Sequence, residues 1–272
     1  MDIIDAHIHI FPGDSVEDRA DDLAKRAGHE NNEAHLREEY ARLGVVGAVV
    51  MGNHSLSLDN HMYPDNMRYC VGLDSRAQWG EDKETYDQLE LHLQREKCVG
   101  VKLYPGYNYH YAYDKVYGPV YELTGRYGKP VAVHTGELAF PQAQLKYCHP
   151  LTLDEAASNY PGVQFVMCHL GNPWFVDAAA VICKNENISA DLSGMLVGLL
   201  DMPRFFREQE GYIGHIKTWL AYMDAYDRMM FGTDWPLANI QNYIDFVAHL
   251  IPDRHHEKVF AGNARRVYAL DF

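Results

Sequence analysis

Near its start the chain reads Ile3-Ile4-Asp5-Ala6-His7-Ile8-His9-Ile10, an apolar run rich in β-branched residues that predicts a strand. Side chains alternate along a strand, so His7 and His9 are expected on one face, about 6–7 Å apart along the backbone. Ala6, Ile8 and Ile10 are expected to face the other way, towards covering helices. Two imidazoles on one face could hold a metal ion, although ordinary core or surface histidines produce the same pattern.

Seven further apolar runs alternate with longer amphipathic stretches and predict strands two to eight. They are Val45–Met51, Arg68–Asp74, Cys98–Tyr104, Pro130–His134, Val163–His169, Ile188–Leu192 and Arg228–Asp234. Eight strands separated by helical patterns within 272 residues are typical of a parallel barrel. We therefore expect an α/β fold, with a single (β/α)8 TIM barrel domain over residues 1–272.

Composition narrows the class of protein. With 47% hydrophobic residues the chain can bury a large core, and its formal net charge of −14 argues against a general affinity for nucleic acid or anionic membranes. We see no signal peptide and no run of membrane-spanning length, so a cytoplasmic enzyme with a small-molecule substrate is the expectation. The five cysteines lack a Cys-x-x-Cys pair and indicate neither a disulfide framework nor a zinc knuckle.

Polar side chains recur at the carboxyl ends of the predicted strands, where TIM-barrel enzymes carry their active sites. The residues concerned are His7 and His9 on strand one, Lys102 on strand four, His134 on strand five, His169 on strand six and Asp234 on strand eight. Imidazole, carboxylate and lysine groups at one rim predict a shared metal site.

Four motifs carry a resemblance to a known family. They are Asp5-Ala6-His7-Ile8-His9, Val133-His134, Cys168-His169-Leu170-Gly171 and Phe231-Gly232-Thr233-Asp234-Trp235-Pro236. With them the chain resembles the amidohydrolase superfamily of metal-dependent (β/α)8 barrels, from Asp5 to the Gly262-Asn263-Ala264 turn. The last two motifs resemble the branch that contains aminocarboxymuconate-semialdehyde decarboxylase and several lactone or amide hydrolases.

The resemblance implies a metal held by His7, His9, His134 and Asp234, with His169 nearby as a proton-transfer group or electrophile. Such ligands suit Zn²⁺, with Mn²⁺ as a second candidate, and leave a coordination position for water. Water bound to the ion would be acidified from ~15.7 towards ~7, and Asp234 could take its proton during attack.

The expected function is therefore hydrolysis of an amide, ester or lactone carbonyl by metal-bound hydroxide, with Asp234 and His169 as the catalytic groups. A non-oxidative decarboxylase of a small carboxylic acid is the alternative on the same site. A barrel that binds ligands without catalysis is a further one.

Lys102 leaves the number of metal ions open. It resembles the lysine of dihydroorotase, which is carbamylated and bridges two ions, with His169 as a ligand of the second. The contexts of His169 and Asp234 favour one ion, with Lys102 as an ammonium group that contacts substrate. A structural lysine paired with a neighbouring carboxylate is the third alternative.

The substrate pocket is less clearly encoded. Tyr104 begins a tyrosine-rich loop that could form an aromatic wall or simply pack against the rim. Arg76 could bind a substrate carboxylate, and His54 and Glu137 are placed to reach the same mouth. Dimers are common among the proteins that this chain resembles, so a homodimer is one expectation for its assembly.

Overall fold

Parallel strands form the frame of the molecule. The computed structural model describes residues 1–10, 18–52, 56–73 and 83–272. Within these ranges one sheet has the strand order β1 to β8: β1 Ile3–Ile8, β2 Val45–Met51, β3 Met67–Leu73, β4 Cys98–Leu103, β5 Val131–Val133, β6 Phe165–Met167, β7 Ile188–Asp191 and β8 Met229–Met230. Each strand pairs in parallel with the next one along the chain.

The segment after β8 closes the sheet onto β1. Asp234 N–H donates to the His7 carbonyl at 2.8 Å, and His9 N–H donates to the Trp235 carbonyl at 2.8 Å. Ala6 N–H also donates to the Phe231 carbonyl, at 3.0 Å. These bonds continue the parallel pairing around the sheet, so the prediction of a (β/α)8 TIM barrel is confirmed.

Helices surround the barrel between successive strands. The α-helices are α1 Asp18–Arg26, α2 Glu33–Leu43, α3 Lys83–Leu93, α4 Pro105–Asn108, α5 Gly118–Tyr127, α6 Leu151–Asn159, α7 Phe175–Lys184, α8 Met202–Glu208, α9 Glu210–Met223, α10 Ile240–Leu250 and α11 Asn263–Tyr268. Outward strand side chains such as Val50 and Val101 pack beneath them in the larger apolar cluster. Burial of this layer is the main apolar contribution to stability.

A smaller cluster fills the barrel interior. It combines inward side chains such as Ile4, Val49 and Val166 with Tyr268 of α11. Ion pairs between the chain ends and the strand starts hold this last helix in place, including Arg265 with Asp2 at 2.5 Å. Helix α11 therefore covers the amino-terminal end of the barrel, and the carboxyl-terminal end is the one available for a functional site.

Strand β1 contains a bulge that changes which side chains face inward. Asp5 pairs with Ala48 and Ile8 pairs with Val50. Between these two pairs β1 advances by three residues while β2 advances by two, so β1 carries one extra residue. Ala6 belongs to the interior cluster, whereas Ile8 packs in the outer one. The expectation that Ala6 faces the helices is therefore wrong, because strict alternation does not hold across a bulge.

The strands end earlier than the apolar runs suggested. β5 stops at Val133 and β6 at Met167, so His134 and His169 lie just beyond their strands. His169 and Asp234 have left-handed backbones, with φ of 62° and 59°. A left-handed residue turns the chain out of the extended path, so the regular strands end before it, and beyond Asp234 the parallel pairing continues as the isolated bridge between Ile8 and Trp235.

The close approach of β4 to its neighbours gives a test of this packing. A Cβ at Gly100 would lie 2.7 Å from the Pro130 carbonyl oxygen and 2.9 Å from the Cys70 Sγ. We expect Gly100→Ala to lower the free energy of unfolding by about 1–3 kcal/mol, as overpacking does in other cores. Denaturant titration would measure the change.

The matched control is Gly214→Ala in α9, where an added Cβ meets no heavy atom within 4 Å. Replacing a helical glycine by alanine should leave stability unchanged or raise it by up to about 1 kcal/mol. Equal stability of the two variants would contradict the packing described for β4.

Candidate metal centre

Three predicted ligands converge at the carboxyl end of the barrel. Asp234 Oδ1 lies 3.5 Å from His7 Nε2 and 3.2 Å from His9 Nε2. His7 is fully buried, while 19% of the His9 side chain and 10% of the Asp234 side chain are exposed. The three atoms therefore form a small polar cluster that is closed on its inner side and open towards solvent.

Hydrogen bonds fix the orientation of both imidazoles. His7 Nδ1–H donates to Asp191 Oδ2 at 2.9 Å, and His9 Nδ1–H donates to the Met51 carbonyl oxygen at 2.9 Å. Each neutral ring then carries its proton on Nδ1 and turns the unprotonated Nε2 towards Asp234. Metal-binding histidines are oriented in this way by a carboxylate or carbonyl on their other nitrogen.

The convergent atoms lack partners of their own. Within the described ranges, His7 Nε2 and Asp234 Oδ1 are buried and make no hydrogen bond. Buried polar atoms are almost always paired, and two nitrogen lone pairs next to a carboxylate oxygen repel one another. A divalent cation would satisfy all three atoms at once, so this donor set fits a metal ion of the zinc type.

The two other histidines predicted for the site, His134 and His169, lie beside this cluster. His134 Nε2–H donates to the Glu137 carbonyl at 2.9 Å, which leaves His134 Nδ1 unprotonated in the neutral ring. His169 Nε2 is 3.2 Å from that atom, and the His169 ring centroid is 4.7 Å from that of His7. His134 thus contacts His169 and lies outside the tight group formed by His7, His9 and Asp234.

The hydrogen bonds of His134 and His169 leave room for a cation or a shared proton between the two rings. Ser193 Oγ–H donates to Asp191 Oδ1, so it accepts from His169 Nδ1–H at 2.8 Å. If each ring is neutral and carries one proton, His169 Nε2 and His134 Nδ1 are both unprotonated. Their lone pairs then face each other. The ligand role predicted for His134 and the alternative ligand role for His169 stay predictions.

Burial favours the neutral form of three imidazoles of the site, those of His7, His134 and His169. It lowers the pKa of His7 to about 3, assisted by the positive charge of Lys102. Burial also lowers the pKa of His134 and of His169, and Lys102 acts in the same direction on both. Because the neutral ring is the form that binds metal, this electrostatic setting removes protons as competitors.

Lys102 lies on the floor of the site within β4. It is fully buried, and its Nζ donates to the Cys168 thiol at 2.9 Å and lies 5.2 Å from the Tyr104 ring centroid. In the part of the chain that the structure describes, we find no carboxylate paired with it. The alternative of a lysine neutralised by a neighbouring carboxylate is therefore not supported.

Aromatic rings stand beside His134. Tyr104 donates its hydroxyl to the Gly52 carbonyl at 2.8 Å, and its ring stacks near His134 with centroids 6.3 Å apart. The Tyr107 ring lies 5.6 Å from the same imidazole. Two further candidates, Arg76 and His54, fall outside the described residues, so their predicted roles stay predictions.

A family model described as Amidohydrolase matches residues 4–270. The chain belongs to the amidohydrolase family. A search of curated proteins found no match to the sequence.

Solved structures show how widely this amidohydrolase fold is used. An uncharacterised TIM-barrel protein from Bordetella bronchiseptica is 23% identical with a TM-score of 0.75, each chain being 99% covered. 2,6-Dihydroxybenzoate decarboxylase from Rhizobium is 16% identical with a TM-score of 0.70, with 100% of both chains covered. A candidate 2-pyrone-4,6-dicarboxylic acid hydrolase from Pseudomonas putida is 17% identical with a TM-score of 0.65, over 100% of this chain and 99% of that one.

At these identities the likeness to solved structures concerns the fold alone. The barrel is shared by a decarboxylase and a candidate hydrolase, so it does not choose between the two reactions. In the described ranges of the amidohydrolase, no helix is both long and apolar enough to cross a membrane.

Sequence reasoning missed Asp191 and Ser193 in this amidohydrolase. Besides His7, Asp191 accepts hydrogen bonds from the backbone N–H of His169 at 3.0 Å and of Ser193 at 3.2 Å. Burial acts to raise the pKa of Asp191, but its hydrogen bond with His7 and the electrostatic attraction of His7, His169 and Lys102 lower the pKa overall. The signal was available, because Asp191 lies one residue before the end of the predicted seventh strand, at the same rim as the other candidates.

Asp191→Asn provides a test of the carboxylate behind His7. An amide keeps an acceptor but loses the charge that makes the imidazole a stronger donor to metal. We expect the Zn²⁺ affinity to fall by about 10- to 100-fold, as for other groups that orient metal-binding histidines. Competition against a chromogenic chelator would measure it. The control is Asp154→Asn, which removes a peripheral ion pair with Lys184; equal Zn²⁺ affinity in both variants would contradict the role given to Asp191.

Proposed function

We propose that this amidohydrolase is a metal-dependent hydrolase that attacks an amide, ester or lactone carbonyl of a small molecule. The proposal rests on one observation, the convergence of His7 Nε2 and His9 Nε2 on a buried Asp234 Oδ1 that has no hydrogen-bond partner in the described ranges. A zinc ion held there by these residues and His134 would polarise the substrate carbonyl and lower the pKa of the attacking water.

Asp234 is suited to move the proton of that water. Its carboxylate lies within 3.5 Å of both imidazoles, and 10% of its side chain is exposed on the open side of the site. The left-handed backbone at Asp234 turns the side chain towards His7 and His9. During attack the carboxylate accepts the proton and holds it beside the reacting centre.

His169 is suited to stabilise the other end of the reaction. Its Nδ1–H is held by Ser193 Oγ, which in turn donates to Asp191, so the ring cannot rotate freely. This leaves Nε2 as the atom that meets the site. Once protonated there, His169 donates to the developing oxyanion or to the leaving group.

Lys102 favours substrates that carry an anionic group. Its buried ammonium group has a thiol, a weak acceptor, as its hydrogen-bond partner in the described structure. A buried charge without an opposite charge is costly. A substrate carboxylate reaching this floor would supply the ion-pair partner that Lys102 lacks in the described structure, while Tyr104 and Tyr107 would line the adjacent wall.

The same observation keeps decarboxylation as the second candidate. A small carboxylic acid would bring its carboxylate to Lys102 and the cation, and His169 or Asp234 would deliver the proton that replaces it. Product analysis separates the reactions: hydrolysis yields a new carboxylate without loss of carbon, whereas decarboxylation releases carbon dioxide.

Metal content tests the site before any substrate is known. Protein purified without a metal-binding tag should hold about one zinc per chain by elemental analysis. Two equivalents, together with the mass of a carbamate in the intact protein, would replace this assignment by the binuclear one with modified Lys102. Retention of no stoichiometric transition metal would contradict the proposed function.

Asp234→Asn tests the proton-transfer role. Loss of the base should lower kcat by about 10²- to 10⁴-fold on whichever lactone, ester or amide the enzyme turns over, because positioned proton transfer contributes that much. Asp253→Asn is the matched control. Asp253 is a fully exposed aspartate in the short helical turn Asp253–His255, and it is not one of the predicted site residues. Near-normal kcat in Asp234→Asn would show that another group takes the proton.

A further inference from the structure

A second buried carboxylate, Asp5, lies behind the candidate metal centre. It accepts four hydrogen bonds: from Thr233 Oγ1 at 2.6 Å, Thr233 N–H at 2.9 Å, the Tyr40 hydroxyl at 3.1 Å and His7 N–H at 3.4 Å. Tyr40 reaches it from α2, the helix that covers β1 and β2 from outside. Asp5 therefore faces away from the predicted metal-binding side chains, but it accepts hydrogen bonds from the backbone that carries them.

Thr233 passes this contact on to Asp234. Its hydroxyl donates to Asp5 Oδ2 and accepts from the Trp235 N–H at 3.0 Å. The hydroxyl thus bridges the residues on both sides of Asp234, whose φ is 59°. Aspartate adopts the left-handed conformation more readily than most residues other than glycine, but the conformation still costs free energy, so the contacts on both sides of Asp234 help to hold it.

The same carboxylate also restrains the opposite ligand. Asp5 accepts from the His7 N–H, while the His7 carbonyl accepts from the Asp234 N–H at 2.8 Å. Asp5, His7 and the Thr233–Trp235 turn therefore form one closed set of hydrogen bonds. Any shift of this turn would change the 3.5 Å separation between His7 Nε2 and Asp234 Oδ1.

We propose that Asp5 and Thr233 are positioning residues that set the metal affinity of the site by holding Asp234 in its left-handed conformation beside His7. The inference rests on the metal site of the proposed function. Neither Asp5 nor Thr233 would contact the metal or the substrate. The Thr233 hydroxyl would connect Asp5 to the turn that carries Asp234.

A purely structural role would give a different result. If the hydrogen bonds merely fastened the segment after β8 to β1, their loss would lower the stability of the protein and leave the preformed ligand geometry intact. Metal affinity and stability of the metal-free protein must therefore be measured separately.

The experiment compares Thr233→Val with Thr233→Ser in the full-length protein. Valine matches the shape of threonine but lacks the hydroxyl, whereas serine keeps the hydroxyl and loses the methyl group. Zn²⁺ affinity is measured by chelator competition, and the absorption spectrum of the Co²⁺-substituted protein reports ligand geometry. We expect about 10- to 100-fold weaker Zn²⁺ binding and an altered Co²⁺ spectrum for Thr233→Val, with Thr233→Ser close to the wild type.

Two outcomes would overturn the inference while leaving the proposed function in place. In the first, Thr233→Val binds Zn²⁺ as tightly as the wild type and loses only thermal stability. In the second, valine and serine weaken Zn²⁺ binding equally, which would point to methyl packing. Wild-type protein that binds no Zn²⁺ would instead overturn the proposed metal site, and this inference with it.

Tyr40→Phe covers the case in which Thr233→Val fails to fold. It removes one of the four donors to Asp5 from a helix far from the ligands and keeps the buried ring. We expect about a fivefold loss of Zn²⁺ affinity, the size of one hydrogen bond. Unchanged affinity in Tyr40→Phe would count against the proposal.

Discussion

The candidate site depends on the hydrogen bonds that close the barrel between β1 and the turn after β8. Asp234 N–H donates to the His7 carbonyl, and His9 N–H donates to the Trp235 carbonyl, each at 2.8 Å. These bonds join segments that lie more than two hundred residues apart in the sequence. Without them, Asp234 would not meet the two histidines, and the remaining strand ends would surround no cation site.

Closing the barrel in this way produces a site with an excess of lone pairs. Nitrogen atoms of His7 and His9 converge on one carboxylate oxygen, and those of His134 and His169 face each other beside them, while hydrogen bonds engage the other nitrogen of each ring. Such an arrangement is unfavourable for an empty protein interior and favourable for a divalent cation. The ammonium group of Lys102 at the floor contributes by keeping the imidazoles unprotonated.

The family explains why one barrel serves two reactions. Hydrolysis and decarboxylation both need a polarised substrate and a group that moves a proton beside it, and in the proposed function Asp234 and His169 would supply that group in either case. What separates the reactions is where the scissile bond lies relative to the cation. That choice depends on the pocket wall, of which Tyr104 and Tyr107 are the described part.

Much of this protein could be predicted from its sequence because strand ends in a parallel barrel share one rim. The apolar runs that alternate with amphipathic stretches indicated the barrel, and His7, His9 and Asp234 were recognisable from their positions and motifs. His134 and His169 were recognised in the same way, although their exact relation to the metal was left open. Lys102 lies on the fourth strand as predicted, but its hydrogen-bond partner Cys168 could not be predicted from the sequence.

Only the tertiary structure decided the features that arise from backbone irregularity and from distant partners. The bulge in β1 places Ala6 inside the barrel, and no alternation of residue types signals one extra residue in a strand. The left-handed conformations of His169 and Asp234 depend on contacts that the rest of the fold supplies. Asp5 and Asp191 gained their roles from Thr233 and His7, because a buried carboxylate acts through whichever donors the closed barrel brings to it.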